Sequence, residues 1–332
     1  MNKLLAFFAL AVFAFAASES DTLTEIYLSG GSAAVHKRAD EIVNNALVSQ
    51  DFWRRKIDKL QTRLGYYENP KHLFVVDKAA KKFYLFNYNG GNLTREFEFN
   101  ATMGDAIGDK YKEGDNKTPV GSYEIKTKLK QGERLFDPYY GPLAYVSNYP
   151  NSFDKSLKKT GHGIWVHGFP LSGTRENENT KGCVAIDNSA LLLLDKVVNA
   201  KNVELLINEK GILEADKNDL SLVLALLYKW RQTWKTNDIE RYLSLYAEDF
   251  ARNDGVNKAE FARLKRQIFG RGEQKKIVFS DVEVVPYPNS LGSLIYKVRF
   301  WQDYEAATHR SKRVKELYLR KKDDRFEIIL ED

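Results

Sequence analysis

The chain has 332 residues, 43% of them hydrophobic and 13% aromatic, and its formal net charge is +6. A chain of this length favours two domains, and the small positive excess, without an arginine-rich arm or a nucleic-acid-binding motif, argues against a nucleic-acid-binding protein. Cys183 is the only cysteine, which excludes an internal disulfide.

The first residues have the three-part pattern of a secretory signal peptide. Lys3 carries a positive charge, an apolar run extends from Leu4 to Ala16, and Ala14 and Ala16 form a small-residue cleavage site. The run is short for a membrane span, and an uncleaved anchor is the alternative. We therefore expect cleavage near Ala16, so that residues 1–16 are removed and the mature protein is exported.

The next segment has the apolar spacing of a helix. Apolar residues recur mostly at three- and four-residue steps, at Val35, Ala39, Ile42, Ala46, Trp53, Ile57, Leu60 and Leu64. The spacing predicts a helix over about residues 33–64, within an N-terminal arm of residues 17–69. The apolar stripe has two interpretations: it packs on its own chain, or it pairs with a second copy to form a homodimer.

Residues 70–211 are predicted to form a mainly β domain. Short apolar runs follow Pro70 and are broken by turn-forming residues, including the run Asn89-Gly90-Gly91-Asn92. Further strands are predicted at Gly121–Lys128, Leu143–Ser147, Gly163–His167 and Val203–Ile207, with one helix at Ser189–Asn199.

Residues 217–332 change to a helical pattern and then back to strands. Leu220–Thr236 is amphipathic, the stretches "IERYLSLYAEDF" and "KAEFARLKRQIF" predict two more helices, and four strand-like runs follow from Lys276. This order resembles the α+β cone of the NTF2-like fold. Its aromatic residues are interpreted either as the lining of a pocket for an unidentified ligand or as core: Tyr228, Trp230, Trp234 and Trp301.

The stretch "HGFPLSGTRENENTKGCVAID" holds the candidate catalytic pair. A cysteine is a good nucleophile when a neighbour withdraws its proton, and histidine is the usual neighbour. His162 and His167 flank the strand-like "GIWV", and His167 is followed by Gly168. Cys183 follows Gly182, and the N–H groups of these two residues could form an oxyanion hole. The alternative is a core cysteine, since buried cysteines are common.

The chain order of these residues narrows the chemistry. Papain-like peptidases place cysteine before histidine, whereas sortases share the order found here but carry an arginine shortly after the cysteine. The next arginine after Cys183 is Arg231, in the last segment, which argues against a sortase. One cysteine and two nearby histidines do not form a zinc ligand set at any usual spacing, so we expect neither a metal nor another cofactor.

Three ordered motifs resemble those of the YkuD-type L,D-transpeptidase family. They are "GDKYKEGDNKTPVGSYEI" at Gly108–Ile125, "GIWVHG" and "TKGCVAID". The resemblance implies a β-sandwich catalytic domain that acts on peptidoglycan stem peptides through a cysteine acyl-enzyme. It also implies that Cys183 is the nucleophile, that His167 is the general base and acid, and that the Gly168 carbonyl orients the imidazole. With the signal peptide, it implies a periplasmic protein.

Two positions depart from the family pattern. Thr180 replaces a serine and keeps a hydroxyl, which makes it a candidate substrate contact. Ala185 stands where the family has an arginine, the residue suited to grip a carboxylate or a polar acceptor strand. Without a well-held acceptor, water would hydrolyse the acyl-enzyme, and the enzyme would be an L,D-carboxypeptidase.

The arrangement of arm, YkuD-type domain and NTF2-like domain is similar to that of the cell-shape-determining L,D-carboxypeptidases of helical bacteria. That similarity implies removal of the terminal D-Ala from tetrapeptide stems to give tripeptides, and a dimer formed through the arm. Two alternatives remain: an L,D-transpeptidase that forms cross-links, and a non-catalytic scaffold that binds the cell wall.

Further substrate contacts are predicted around the pair. Arg175 and Lys181 offer cations for the D-Ala carboxylate, with a solvated loop as the alternative. Alternation along the strand places Trp165 on the face of His167 and His162 on the opposite face. We therefore rank Trp165 above His162 as a contact.

Overall fold

The computed structural model describes residues 2–133, 137–172 and 179–332. Two sheets of eight and six strands organise this part of the chain. No helix in the described ranges is both long enough and apolar enough to cross a membrane.

The arm consists of two helices rather than one. Helix α1 (Asn2–Leu47) bends at Gly31, whose φ of 65° is not helical, and helix α2 (Gln50–Ile57) follows. The side chain of Ser49 caps α2 by accepting the N–H of Phe52.

The predicted helix end at residue 64 is wrong, because the helix stops at Ile57 and the chain then turns. Leu64 is nevertheless buried, so the spacing correctly predicted an apolar core position although the residue is not helical. The predicted arm also contains a strand, β1 (Tyr66–Tyr67), which pairs antiparallel with a strand of the last domain.

The middle of the chain forms the eight-stranded sheet, with strand order β4-β3-β2-β9-β5-β6-β7-β8. Two helices accompany it, α3 (Ser152–Ser156) and α4 (Asn188–Val197). The strands are β2 (Lys71–Asp77), β3 (Lys82–Asn89), β4 (Asn92–Asn100), β5 (Gly121–Lys130), β6 (Leu143–Ser147), β7 (Trp165–His167), β8 (Val184–Ala185) and β9 (Val203–Asn208).

The eight-stranded sheet folds over on itself at β5. The first half of β5 pairs with β9, and its second half pairs with β6. The rings of Phe74 on β2 and Tyr145 on β6 lie 5.2 Å apart. Three strand steps in a flat sheet would separate these strands by about 14 Å, so the two halves face each other across a common core. The predicted β-sandwich is confirmed.

The last part of the chain forms the six-stranded sheet, with strand order β1-β11-β12-β13-β14-β10, and three helices. Together they form the NTF2-like domain that the sequence predicted. The elements are α5 (Lys217–Lys235), α6 (Ile239–Leu243), β10 (Tyr246–Arg252), α7 (Lys258–Phe269), β11 (Lys275–Pro286), β12 (Ile295–Ala306), β13 (Arg310–Lys322) and β14 (Arg325–Glu331).

One predicted helix of this domain is wrong in its second half. The stretch "IERYLSLYAEDF" begins as helix α6 but continues as strand β10, which pairs in parallel with β14. The backbone N–H of Ile328 on β14 donates to the carbonyl of Leu245, just before β10. Pairing with the edge of the sheet therefore decides the conformation of this segment.

Buried charges join the two domains. Lys297 on β12 forms an ion pair with Glu204 on β9, and both side chains are fully buried. Ser122 donates to the same carboxylate. Lys71 pairs with Glu283 at 2.6 Å, again with both side chains buried. A buried charge without a partner is costly, so these pairs fix how the two sheets meet.

Aromatic and polar contacts extend the same interface. The ring of Phe153 on α3 stacks on Tyr318 and meets the edge of Tyr287, both from the NTF2-like domain. Ser290, between β11 and β12, donates to Asp109 at 3.0 Å. Asp109 belongs to the loop between β4 and β5, so the NTF2-like domain contacts a loop of the catalytic domain directly.

Candidate active site

Two short parallel strands position the candidate pair. On β7 and β8, Val166 lies opposite Val184 and His167 lies opposite Ala185. Cys183 immediately precedes β8 and is two residues from Ala185, so it lies on the same face as His167. Continued by one residue, the same register sets Cys183 level with Trp165, so Cys183 lies diagonally across from His167 on the neighbouring strand.

His167 is held from its ring and from its backbone. Its side chain is buried, and Nδ1 lies 2.6 Å from the carbonyl oxygen of Gly168. A carbonyl only accepts, so Nδ1 carries the proton and Nε2 is left as the basic nitrogen. The edge of Tyr140 packs against the imidazole, with ring centroids 5.0 Å apart. The His167 carbonyl accepts the N–H of Ile186 at 3.0 Å.

Gly168 occupies a position that has no room for a side chain. A Cβ there would overlap the amide oxygen of Asn188 and lie 3.1 Å from Pro142. The Gly168 N–H donates to the carbonyl of Tyr140 at 2.9 Å. The turn after β7 is therefore tight, and its carbonyl is directed at the imidazole.

The turn that carries Cys183 is closed by the hydroxyl of Thr180. This hydroxyl donates to the Cys183 carbonyl at 2.6 Å and accepts the Gly182 N–H at 3.0 Å. The Cys183 thiol donates to the Gly163 carbonyl at 3.2 Å. Gly182 has a φ of 134°, and a Cβ there would lie 2.7 Å from the Lys117 carbonyl oxygen. The turn requires glycine for both reasons.

One of the two N–H groups predicted for the oxyanion hole, that of Gly182, already has a hydrogen-bond partner. In the structure the Gly182 N–H is already bonded to the Thr180 hydroxyl. It can serve an oxyanion only if that bond breaks or is shared. The role of both N–H groups stays a prediction.

The remaining predicted contacts separate into three groups. Trp165 lies near the pair, with its ring 4.8 Å from that of Tyr140. The side chain of His162 is 85% exposed, and its Nε2 lies 4.0 Å from a carboxylate oxygen of Glu113. Lys181 is exposed. Arg175 lies outside the described residues.

Ala185 is enclosed. It has no exposed surface, and its N–H and carbonyl both bond to Thr102, each at 2.8 Å. Its neighbour on the other side is His167. The position where the family has an arginine is therefore fully buried in this protein, with its backbone bonded on both sides.

The loop before β5 approaches the turn of Cys183 closely, with the Lys117 carbonyl beside Gly182, and it depends on Asp115. The Asp115 carboxylate accepts the ammonium of Lys110 at 2.7 Å and the N–H groups of Tyr111, Lys112 and Lys117. Partial burial alone would raise the pKa of Asp115, but these hydrogen bonds outweigh it and lower the pKa to about 2. Asp115 therefore has a structural role in this loop.

Sequence reasoning missed two residues of the site, Tyr140 and Asn188. Asn188 begins α4, five residues after Cys183, and its amide bonds to the backbone of Phe169. An asparagine at the start of a predicted helix is a detectable signal, but its partner on a separate loop is not. No group of three His, Cys, Asp or Glu residues suited to a metal ion occurs in the described part of the chain.

A cysteine just before one strand, together with a buried histidine on the neighbouring strand whose Nδ1 is fixed by a carbonyl, defines a cysteine-dependent enzyme on a β-sandwich. Comparison with known families agrees. Residues 71–205 match the YkuD family, which is described as an L,D-transpeptidase catalytic domain. Residues 222–332 match a second family, the Cds6 C-terminal NTF2-like domain. The chain belongs to the YkuD-type L,D-transpeptidase family and carries an NTF2-like domain at its C-terminal end.

Two solved structures resemble the chain over most of its length. The helical cell shape determining protein Pgp2 of Campylobacter jejuni is 37% identical, with a TM-score of 0.80 over 86% of this chain and 99% of that one. Bd1075 of Bdellovibrio bacteriovorus is 28% identical, with a TM-score of 0.64 over 82% of this chain and 96% of that one. A search of curated proteins found no match.

Proposed function

We propose that the protein is a peptidoglycan L,D-carboxypeptidase that removes the terminal D-Ala from tetrapeptide stems. The observation that carries the proposal is the geometry of His167, whose Nδ1–H is held by the Gly168 carbonyl on the face that also holds Cys183. Family membership supports a peptidoglycan substrate. The shape-determining relative supports a role in cell shape.

The reaction follows from this arrangement in two steps. His167 Nε2 takes the thiol proton, and Cys183 Sγ attacks the carbonyl carbon of stem residue three. The C–S bond forms, the C–N bond to D-Ala breaks, and the imidazolium returns the proton to the departing amine. A water molecule, deprotonated by His167, then attacks the thioester. The C–S bond breaks, and the tripeptide carboxylate and the thiol are released.

The choice of water as acceptor rests on Ala185. An arginine at this position would offer a bidentate grip for a carboxylate or an acceptor strand, and a methyl group offers none. Water needs no such grip. We therefore favour hydrolysis over the alternative, transfer to a second stem peptide as in a cross-linking L,D-transpeptidase.

The test gives purified protein a disaccharide-tetrapeptide and follows the products by mass spectrometry, with Cys183→Ala as the matched control. We expect loss of one alanine with the wild type and none with the variant. Cross-linked dimers would identify a transpeptidase instead. A folded wild-type protein without turnover would favour a non-catalytic wall-binding scaffold.

We also propose that the NTF2-like domain binds an anionic ligand in a cavity of about 510 Å³. Two residues of the lining, Gln302 and Trp234, carry buried donors, Nε2 and Nε1, that have no hydrogen-bond partner in the described part of the structure. An unmet buried donor is costly, which favours a ligand with acceptor oxygens. The basic residues of the lining are Lys265, Arg271, Lys275, His309, Arg313 and Lys315, against one acidic residue, Glu273.

The aromatic residues predicted for this pocket do not all reach it. Trp234 lines the cavity, whereas Tyr228 and Trp230 belong to the core. Trp301 is 38% exposed and is not part of the lining, because alternation along β12 directs Gln302 inward and Trp301 outward.

The ligand proposal predicts a dependence on pH. Burial among aromatic rings, with Trp234 at 4.6 Å, lowers the pKa of Lys265 to about 8. Its positive charge is present below this pH and is lost above it, so anion affinity should fall as the pH rises through about 8. Calorimetric titration with phosphate and with the disaccharide-tetrapeptide tests this. Lys265→Met should weaken binding, and the exposed Lys312→Met should not.

The arm supports a further proposal, a homodimer in which α1 helices pair. The apolar residues of the arm divide between two environments: Trp53 and Ile57 are buried against the NTF2-like domain, whereas other large ones are exposed, namely Leu23, Tyr27, Leu28, Ile42 and Val43. Light scattering after gel filtration tests the dimer, and Leu28→Glu with Ile42→Glu should give monomers.

We propose export to the periplasm with cleavage near Ala16, which N-terminal sequencing of the mature protein tests. Intact residues 1–16 on the mature protein would overturn the cleavage.

A further inference from the structure

The side chain of Asn188 clamps the loop that follows the catalytic histidine. Its Oδ1 accepts the N–H of Phe169 at 2.8 Å, and its Nδ2 donates to the carbonyl of Phe169 at 3.0 Å. An amide satisfies both polar groups of one backbone residue in this way, and no smaller side chain offers a donor and an acceptor in that geometry.

Two glycines make room for this amide. A Cβ at Gly141 would lie 2.6 Å from Asn188 Oδ1, and a Cβ at Gly168 would overlap the same atom. Gly168 also donates its N–H to the Tyr140 carbonyl, next to Gly141 in the chain. The Asn188 amide therefore lies at the centre of the turn whose carbonyl holds His167.

The contacts form a continuous path from the nucleophile's strand to the base. Asn188 follows Cys183 by five residues and begins the helix after β8. Asn188 fixes Phe169, Phe169 is bonded to Gly168, and the Gly168 carbonyl accepts the Nδ1–H of His167 at 2.6 Å. We propose that Asn188 is a positioning residue, which holds the Gly168 carbonyl so that His167 keeps Nε2 basic. The inference rests on the proposed function, because it acts through the Cys183–His167 pair.

Removal of the clamp should affect proton transfer more than substrate binding. In Asn188→Ala the Gly168 carbonyl is free to rotate, so the proton can move to Nε2 and the imidazole can tilt away from the thiol. Misplacement of a catalytic group by about 1 Å can cost up to roughly 100-fold in rate. We expect kcat to fall by about that factor at most, with KM little changed.

The test measures the rate at which iodoacetamide alkylates Cys183, the single cysteine of the chain, as a function of pH. A neutral reagent reports thiolate formation without any substrate. We expect His167→Ala and Asn188→Ala to move the midpoint of the pH profile upward and to slow alkylation at pH 7. Asn188→Asp provides a second variant. Its carboxylate still accepts the Phe169 N–H but cannot donate to the Phe169 carbonyl, so its midpoint should lie between those of wild type and Asn188→Ala.

The matched control is Asn208→Ala. Asn208 is a buried asparagine of the same domain that also bonds to backbone on both sides, to the Val76 carbonyl at 3.2 Å and the Leu213 N–H at 2.9 Å. It should lose comparable stability and keep the wild-type alkylation profile.

The possible outcomes separate the two proposals. If His167→Ala shifts the profile while both Asn188 variants match Asn208→Ala, the positioning role is overturned and the proposed function stands. If His167→Ala leaves the profile unchanged, the catalytic pair and the role of Asn188 both fail.

Discussion

Ala185 shows how one enclosed residue constrains the chemistry of the site. Its backbone lies between that of Thr102 and that of His167, and the residue has no exposed surface. A long cationic side chain would fit here only if the residues packed around the methyl group moved. The position is therefore adapted to a small residue.

We predict that Ala185→Arg destabilises the protein and does not produce a transpeptidase. Overpacking costs typically 1–3 kcal/mol, and a buried charge without a partner adds to this. Thermal unfolding and the muropeptide assay check both parts, with Ala185→Ser as the small-residue control. A stable Ala185→Arg protein that forms cross-linked dimers would contradict the prediction.

The residues of the site differ in how visible they are in the sequence. Cys183 and His167 could be predicted because their side-chain chemistry is rare and both stand beside glycine. Asn188 and Tyr140 could not, because they act through contacts with other loops. Asn188 bonds to Phe169, and Tyr140 packs on His167 and Trp165. Such contacts depend on how turns approach in space.

At the scale of elements, the loop before β5 is organised around one carboxylate. Asp115 accepts one ammonium and three backbone N–H groups, and its pKa is lowered from 3.8 to about 2. Because the pKa is lower in the folded state, the ionised form stabilises the fold above about pH 4. This stabilisation is lost as the pH falls towards 2.

We predict that Asp115→Asn lowers the free energy of unfolding at pH 7 by about 2 kcal/mol, which is the free energy that corresponds to the lowered pKa. The difference between variant and wild type should shrink as the pH falls from about 4 to 2. Urea denaturation at several pH values measures this. Asp303→Asn, on β12 and exposed, is the control and should differ little from wild type. A difference that does not depend on pH would contradict the argument.

The arm is anchored to the last domain by Trp53. Its ring stacks on Tyr228 at 5.3 Å, meets the edge of Tyr66 at 6.1 Å, and donates its N–H to the Leu47 carbonyl at 2.7 Å. The helix that carries Trp53 is only eight residues long, so its stability comes from this docking rather than from the helix itself.

We predict that Trp53→Ala costs about 3–5 kcal/mol and releases α2 from the NTF2-like domain. Neighbouring Phe52 is only half-buried, so Phe52→Ala should cost clearly less. Thermal unfolding and limited proteolysis of the arm compare the two variants. Equal losses would show that Trp53 is not the anchor.

The predicted helix that failed in its second half did so for one physical reason. In "IERYLSLYAEDF", Tyr242, Tyr246 and Phe250 recur every four residues, as in a helix, and all three are buried. The backbone from Tyr246 onward nevertheless pairs with β14. Local spacing predicted where the apolar side chains lie but not which hydrogen bonds the backbone makes, because those depend on a strand some 80 residues away in sequence.

At the scale of the whole molecule, the two domains act as one unit. Lys297 and Glu204 form a fully buried ion pair across the interface. Burial alone would lower the pKa of Lys297, but the Glu204 carboxylate outweighs burial and the pKa is raised. Each charge is therefore tolerable only because the other is present.

We predict that Lys297→Met costs about 3–5 kcal/mol, because it leaves Glu204 buried without its cation. The double variant with Glu204→Gln should recover much of this loss, since no charge then remains unpaired. Calorimetry should show one unfolding transition for the wild type and a double-variant stability closer to wild type than to Lys297→Met. Additive losses from the two substitutions would contradict the coupling.

Strand β1 gives the molecule an unusual order of assembly. Tyr66 pairs with Val284, so the first strand of the chain completes a sheet whose other strands are synthesised some 200 residues later. The catalytic domain lies between the two parts, so in an exported chain it can close its own sandwich before the C-terminal strands have crossed the membrane. The NTF2-like domain has to wait for its last strands, and until then α2 and β1 expose the apolar surface around Trp53. We therefore expect the newly made chain to pass through a stage in which one domain is finished and the other is open, and in which chaperones bind the arm.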